Sequence, residues 1–126
     1  MASAATGKIE EPSNKGMTIL LWTLQILAAA AFLASGGSKL AGVAPMVATF
    51  EKIGIGQWLR YLTGLLELVG AIGLVVPGYA FYGASLLATV MVGAVIAHLA
   101  ILGGSPLPAI VLLAITGTVA YLRRPR

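Results

Sequence analysis

The chain has no cysteine, no aspartate and only one histidine. Without thiols there is no disulfide, no thiol redox chemistry, and no thiolate-held iron–sulfur cluster or zinc site. The acids are Glu10, Glu11, Glu51 and Glu67, two of them in a polar N-terminal stretch. With one histidine, that is too thin a donor set for a protein-only metal site, so no metal is expected. Charge is scarce as well. Asp, Glu, Lys and Arg make up 10% of the chain, where a soluble domain carries about 25%, so most of this surface does not face water. The net charge of +4 comes from scattered Lys and Arg. No basic stripe with interleaved aromatics is formed, which leaves nucleic-acid binding unsupported.

What is present is hydrocarbon. Hydrophobic residues make up 59% of the 126 residues, and the mean hydropathy is +0.97. The solvent that suits such a chain is a lipid bilayer, which a helix crosses with about 20 apolar residues. Four such stretches occur, at 17–38, 58–76, 79–102 and 107–122. The expected fold is therefore all-α, an integral membrane four-helix bundle spanning residues 17–122. A disordered polar tail is expected over 1–16 and a basic tail over 123–126. The first apolar run is longer than the core of a secretory signal, so it reads as an uncleaved span.

Between the first two spans, AGVAPMVATFEKIGIGQ (41–57) is too mixed to cross. Pro45 suits a first helical position, and Val47, Phe50 and Ile53 recur about one turn apart, which predicts a short helix lying in the interface. The turns at 77–78 and 103–106 are very short, so the last three spans must run antiparallel to their neighbours. Four crossings put both termini on one side. Lys8, Lys15, Arg123, Arg124 and Arg126 lie there, against Lys39, Lys52 and Arg60 on the other. That balance places both termini in the cytoplasm of a cell (inner) membrane.

Glu67 interrupts LTGLLELVGAIG (62–73), nine residues from Trp58 and ten from Pro77. At about 1.5 Å per residue this is the bilayer midplane. An ionised carboxylate there costs on the order of 3 kcal/mol, so it must face protein or water. Helical spacing sets Arg60, Thr63 and Glu67 on one face. Side chains lean toward a helix's N-terminus, which tilts Glu67 away from the termini, and Lys39 and His98 tilt into the same half of the membrane. A polar cavity shared by Glu67, Arg60, Thr63 and His98 is expected there. The segment LVGAIGLVV (68–76) offers no polar side chain, so the half nearer the termini is expected to be closed. Simpler readings stand beside this one. Lys39 and Arg60 could snorkel to headgroups, His98 could hold a backbone partner, and Glu67 could belong to a structural ion-pair knot or be a protonated acid bonded across helices. Gly64, Gly70, Ala71, Gly73, Gly83, Ala84 and Gly93 read as a stripe for close helix packing.

FLASGGSKLAG, FEKIGIGQWLRYLTGLLELVGAIGLVVP and ASLLATVMVGAVIAHL together resemble the DoxX-like family of small four-helix membrane proteins. The likeness covers most of 25–122. Its most specific parts are Gly-x-x-Lys-Leu at Gly36–Leu40 and Gly-x-x-Glu-Leu at Gly64–Leu68. The family pattern falls on Lys39, Glu67 and His98. Gly56 stands where that pattern has a proline, a departure that touches the loop. The resemblance implies association with redox systems, since the family's namesake branch is linked to a membrane subunit of thiosulfate:quinone oxidoreductase.

The leading expectation is a redox-associated subunit that binds a quinone or similar lipophilic molecule near Glu67, with electrons supplied by a redox partner protein. A small proton-coupled transporter, necessarily a homo-oligomer at this chain length, is one alternative. A scaffold that orders a partner protein or lipid is the other.

Overall fold

Asn14 opens the first helix: its side chain accepts the backbone N–H of Met17 at 3.3 Å. In the computed structural model, which describes residues 14–125, this cap starts α1 at Lys15 and the helix runs to Ala41. Both ends pass the 17–38 limits expected from hydropathy. A helix stops where its backbone is capped, and that occurs at Gly42, in the left-handed region at φ 70°. Gly42 N–H reaches Ser38 O at 3.1 Å and Val43 N–H reaches the same carbonyl at 3.3 Å, a Schellman-type ending that a glycine makes without Cβ strain. Residues 14–16, assigned to the disordered tail, are thus the cap and first turn of α1. The rest of that tail and Arg126 lie outside the described residues.

α2 (Ala44–Ile53) is the short helix expected from Pro45, with Phe50 buried, Val47 and Ile53 half-buried, and Glu51 and Lys52 exposed. α3 (Trp58–Val75) follows after a loop in which Gly56 takes φ 108°. A proline ring holds φ near −65°, so a proline at position 56 could not follow this path. α4 (Ala80–Ala97) runs on into one wider turn, His98–Leu102, closed by Gly103 N–H to His98 O at 3.0 Å. α5 (Leu107–Leu122) completes the bundle.

α1, α3 and the α4 segment through Leu102 are long and apolar enough to cross a membrane, and α5 is a shorter apolar helix of 16 residues. Ile19, Leu27, Ile72, Ile96, Leu99 and Tyr121 are exposed, a surface suited to lipid and not to water. The protein is an all-α, multi-pass membrane bundle. Its terminal end carries the start of α1, the end of α5 and the 77–78 turn, and its distal end carries α2 and the 103–106 turn.

Two glycine contacts set the helix spacing. A Cβ on Gly36 of α1 would lie 2.8 Å from Gly64 O of α3, and one on Gly64 would lie 3.0 Å from Gly36 O. Near the terminal end, a Cβ on Gly83 of α4 would lie 2.6 Å from Gly70 O and 2.8 Å from Leu74 N of α3. Phe32, Leu74, Leu87 and Val119 fill the core between these contacts. Gln25 is buried there as well. α3 ends at Val75, which leaves its last carbonyls without donors of their own helix, and Gln25 Nε2 donates to that of Leu74 at 2.6 Å. Arg123 Nε in turn donates to Gln25 Oε1 at 2.9 Å, tying the end of α5 to α1 and α3.

Candidate functional site

The distal half of α1 presents Ser35 and Lys39 one turn apart on the face toward α3. The close approach at Gly36 and Gly64 brings that face onto Glu67. The packing is reciprocal: a Cβ on Gly36 would meet Glu67 Cβ at 3.2 Å, and one on Gly64 would meet Lys39 Cβ at 2.9 Å. Each glycine leaves room for the charged side chain of the opposite helix. Lys39 Nζ then lies 3.0 Å from Glu67 Oε1. Ser35 Oγ donates to the same oxygen at 3.1 Å and accepts from Lys39 Nζ at 2.7 Å. Glu67 is 1% exposed and the Lys39 side chain 12%, so the acid is held wholly inside the protein. A buried pair of this kind is costly to break from one side, because it strands a desolvated charge.

Beside this knot is a cavity of about 870 Å³ in the distal half of the bundle. Ser35, Lys39, Thr63, Glu67 and His98 supply polar groups to a wall that is otherwise mostly apolar, with Phe50, Leu66, Met91 and Leu112 among its members. Its shape follows from the packing of α3 on α4. The two helices touch at Gly70, Gly73 and Gly83 near their shared turn, whereas a Cβ on Gly93 would meet nothing within 4 Å. Gly93 therefore lines the opening between the helices and makes no packing contact, a correction to the stripe read from the sequence. α2 roofs the distal side with Phe50. Lys52 Nζ holds that roof to the end of α4 by donating to Leu102 O at 2.9 Å, and Gln57 Nε2 donates to Val47 O at 3.1 Å.

His98 Nδ1 lies 3.0 Å from the Ala94 carbonyl. A carbonyl only accepts, so in the neutral ring Nδ1 carries the hydrogen and Nε2 is left as the acceptor. The backbone partner considered from sequence is thus present on one nitrogen only.

Of the residues selected from sequence, Lys39, Thr63, Glu67 and His98 converge on the cavity. Arg60 does not line it. Its side chain is 5% exposed and donates through Nη1 to the Lys39 carbonyl and through Nε to Gln57 Oε1 at 2.7 Å. The guanidinium lies 4.3 Å from the centre of the Tyr61 ring. It caps the C-terminus of α1, where a cation is favoured by the helix dipole. The lean toward a helix's N-terminus carries Arg60 to that cap and away from Glu67. Sequence reasoning missed Ser35 and Lys52. The spacing of Ser35 and Lys39, four residues apart, was an available signal for the first; nothing in the sequence marks a bond from Lys52 to a distant carbonyl.

A model of the DoxX-like family matches residues 23–122, from within α1 to the end of α5, including both Gly-x-x motifs. No curated protein and no solved structure gives a significant match.

Proposed function

The chain belongs to the DoxX-like family, and we propose that it is a redox-associated membrane subunit that binds a quinone or similar lipophilic molecule in the cavity beside Glu67. One observation supports this above the rest. A largely apolar cavity of about 870 Å³ has Glu67, Lys39 and His98 among its lining residues, and its volume falls within the roughly 300–1,000 Å³ of small-molecule sites. Reducing a quinone to a quinol takes up electrons and protons in equal number. In this reading the electrons come from a redox partner protein, and Glu67 and His98 pass the protons. Arg60 has a positioning role: it fixes the end of α1 that carries Lys39. The membrane is the cell (inner) membrane and both termini are cytoplasmic, so the cavity lies in the outer half of the bilayer.

The test is extraction. Protein purified from membranes in mild detergent and extracted with organic solvent should yield a quinone in near-stoichiometric amount. Glu67→Gln should insert and fold yet retain much less. Recovery of no quinone from wild-type protein, across growth conditions that vary the quinone pool, would end this reading. The closed hydrogen-bonding of Lys39, Ser35 and Glu67 supports the scaffold alternative; under it, an empty extract would accompany loss of a co-purifying partner in Glu67→Gln.

A further inference from the structure

The polar atoms around the cavity divide into those already bonded and those left over. Lys39 Nζ, Ser35 Oγ and Glu67 Oε1 satisfy one another. Thr49 and Thr89, which line the cavity, each donate their hydroxyl to the carbonyl one turn back, as Thr23, Thr116 and Thr118 do elsewhere in the bundle. Thr63 lines the cavity, and among the described residues its hydroxyl makes no such bond. Glu67 uses only Oε1, and His98 uses only Nδ1. Three atoms with no bond among the described residues therefore remain for a ligand, Glu67 Oε2, Thr63 Oγ1 and His98 Nε2, beside the N–H groups that Lys39 and Lys52 do not spend.

Their chemistry is lopsided. The carboxylate oxygen and the imidazole nitrogen can only accept, the threonine hydroxyl can do either, and Lys39 has one N–H beyond the two it spends on Ser35 and Glu67. A carbonyl-headed ligand could take the Lys39 and Thr63 donors, but it would leave both fixed acceptors desolvated and unmet. A hydroxyl-headed ligand can donate to an acceptor and still accept from Lys39 or Thr63. Leaving buried acceptors unmet is the expensive outcome, so the difference acts as selection.

We propose that Glu67, Thr63 and His98 form the polar recognition set of this cavity, and that it selects a lipophilic molecule bearing a hydroxyl head group over its carbonyl or ether counterpart. This rests on the reading of the cavity as a lipophilic-ligand site and adds the chemistry of the head. For a quinone couple, it means that the reduced, dihydroxy form is the tighter binder.

The experiment uses the full chain in lipid nanodiscs and equilibrium dialysis with two matched probes, 4-octylphenol and its methyl ether. The phenol should bind about tenfold tighter or more, the scale set by leaving a buried acceptor without its donor. A short-chain quinol should outbind its quinone in the same sense. Thr63→Val, isosteric at a hydroxyl with no partner to lose, should narrow the phenol-to-ether ratio, and so should His98→Leu; helical content and thermal midpoint should stay unchanged in Thr63→Val. Equal binding of phenol and ether overturns the proposal, as does absence of phenol binding or an unchanged ratio in both variants. The two readings fail separately. An empty quinone extract with a sustained phenol preference removes the quinone and keeps the hydroxyl recognition, whereas a retained quinone with no preference does the reverse.

Discussion

Glu67 has a partner because hydrocarbon offers an ionised carboxylate nothing else, and the partner found is a lysine that is itself almost out of water. The two charges are interdependent, which makes the double substitution informative. Lys39→Met should destabilise the protein most, since it strands the acid; breaking one side of a desolvated pair costs about 3–5 kcal/mol, reduced here because Lys39 keeps some exposure. Glu67→Gln should cost less, and Lys39→Met combined with Glu67→Gln should recover part of the loss. Thermal unfolding in detergent measures all three, and strictly additive shifts would mean that the groups do not interact. The approach of Lys39 to Glu67 was legible in the sequence because a physical penalty demanded it and the lean of helical side chains supplied the direction. Ser35 was not. A serine on a membrane helix needs no partner from another helix, and its bond to Glu67 depends on the register of α1 against α3, which the sequence leaves open. Arg60 shares its helix face with Glu67, but the same lean that tilts Glu67 carries the longer Arg60 side chain past the cavity to the end of α1.

The element boundaries show the same division. Hydropathy located every apolar helix, yet it ended the first span at the change in polarity, three residues before α1 ends at Ala41 under the Gly42 cap. Glycine composition likewise announced close packing without saying which glycines pack. The α3–α4 pair separates the cases. At Gly83 a new Cβ would lie 2.6 Å from the Gly70 carbonyl, and at Gly93 it would meet nothing. Gly83→Ala must push α3 and α4 apart and should cost about 1–3 kcal/mol, the range for overpacking. Gly93→Ala should leave the stability within about 0.5 kcal/mol of wild type. Gly93→Phe should fold but fill the opening of the cavity, so that bound ligand is lost while helical content stays. Equal destabilisation by the two alanine substitutions would show that the helices do not diverge as described.

For the molecule as a whole, composition identified the bilayer as solvent and turn lengths gave the connectivity. The charge balance that orients the chain is a statistical bias in the insertion machinery and leaves no mark on the bundle's own packing. Orientation is therefore open to direct measurement. A reporter fused after Arg126 should be active only in a cytoplasm-reading format, and an outside-active fusion would invert the placement of the cavity. The buried Gln25 escaped sequence reading for a related reason. It answers the Leu74 carbonyl, left open at the end of α3, a need that appears only once the two helices are side by side.

The reciprocal seating of Gly36 against Glu67 and of Gly64 against Lys39 also bears on how the chain is made. Synthesis delivers α1 to the membrane before α3, with Ser35 and Lys39 already waiting near the distal surface. α3 emerges carrying a carboxylate at its centre, a burden on the order of 3 kcal/mol for a helix entering lipid alone. It leaves the translocon cheaply only by sliding against α1, so the first two crossings enter as a unit. A nascent chain lacking residues 17–41 should therefore show a lower fraction of membrane-inserted α3 in a glycosylation-mapping assay, and Glu67→Gln should restore it. Equal insertion with and without α1 would mean that the two helices enter the bilayer independently and meet afterwards.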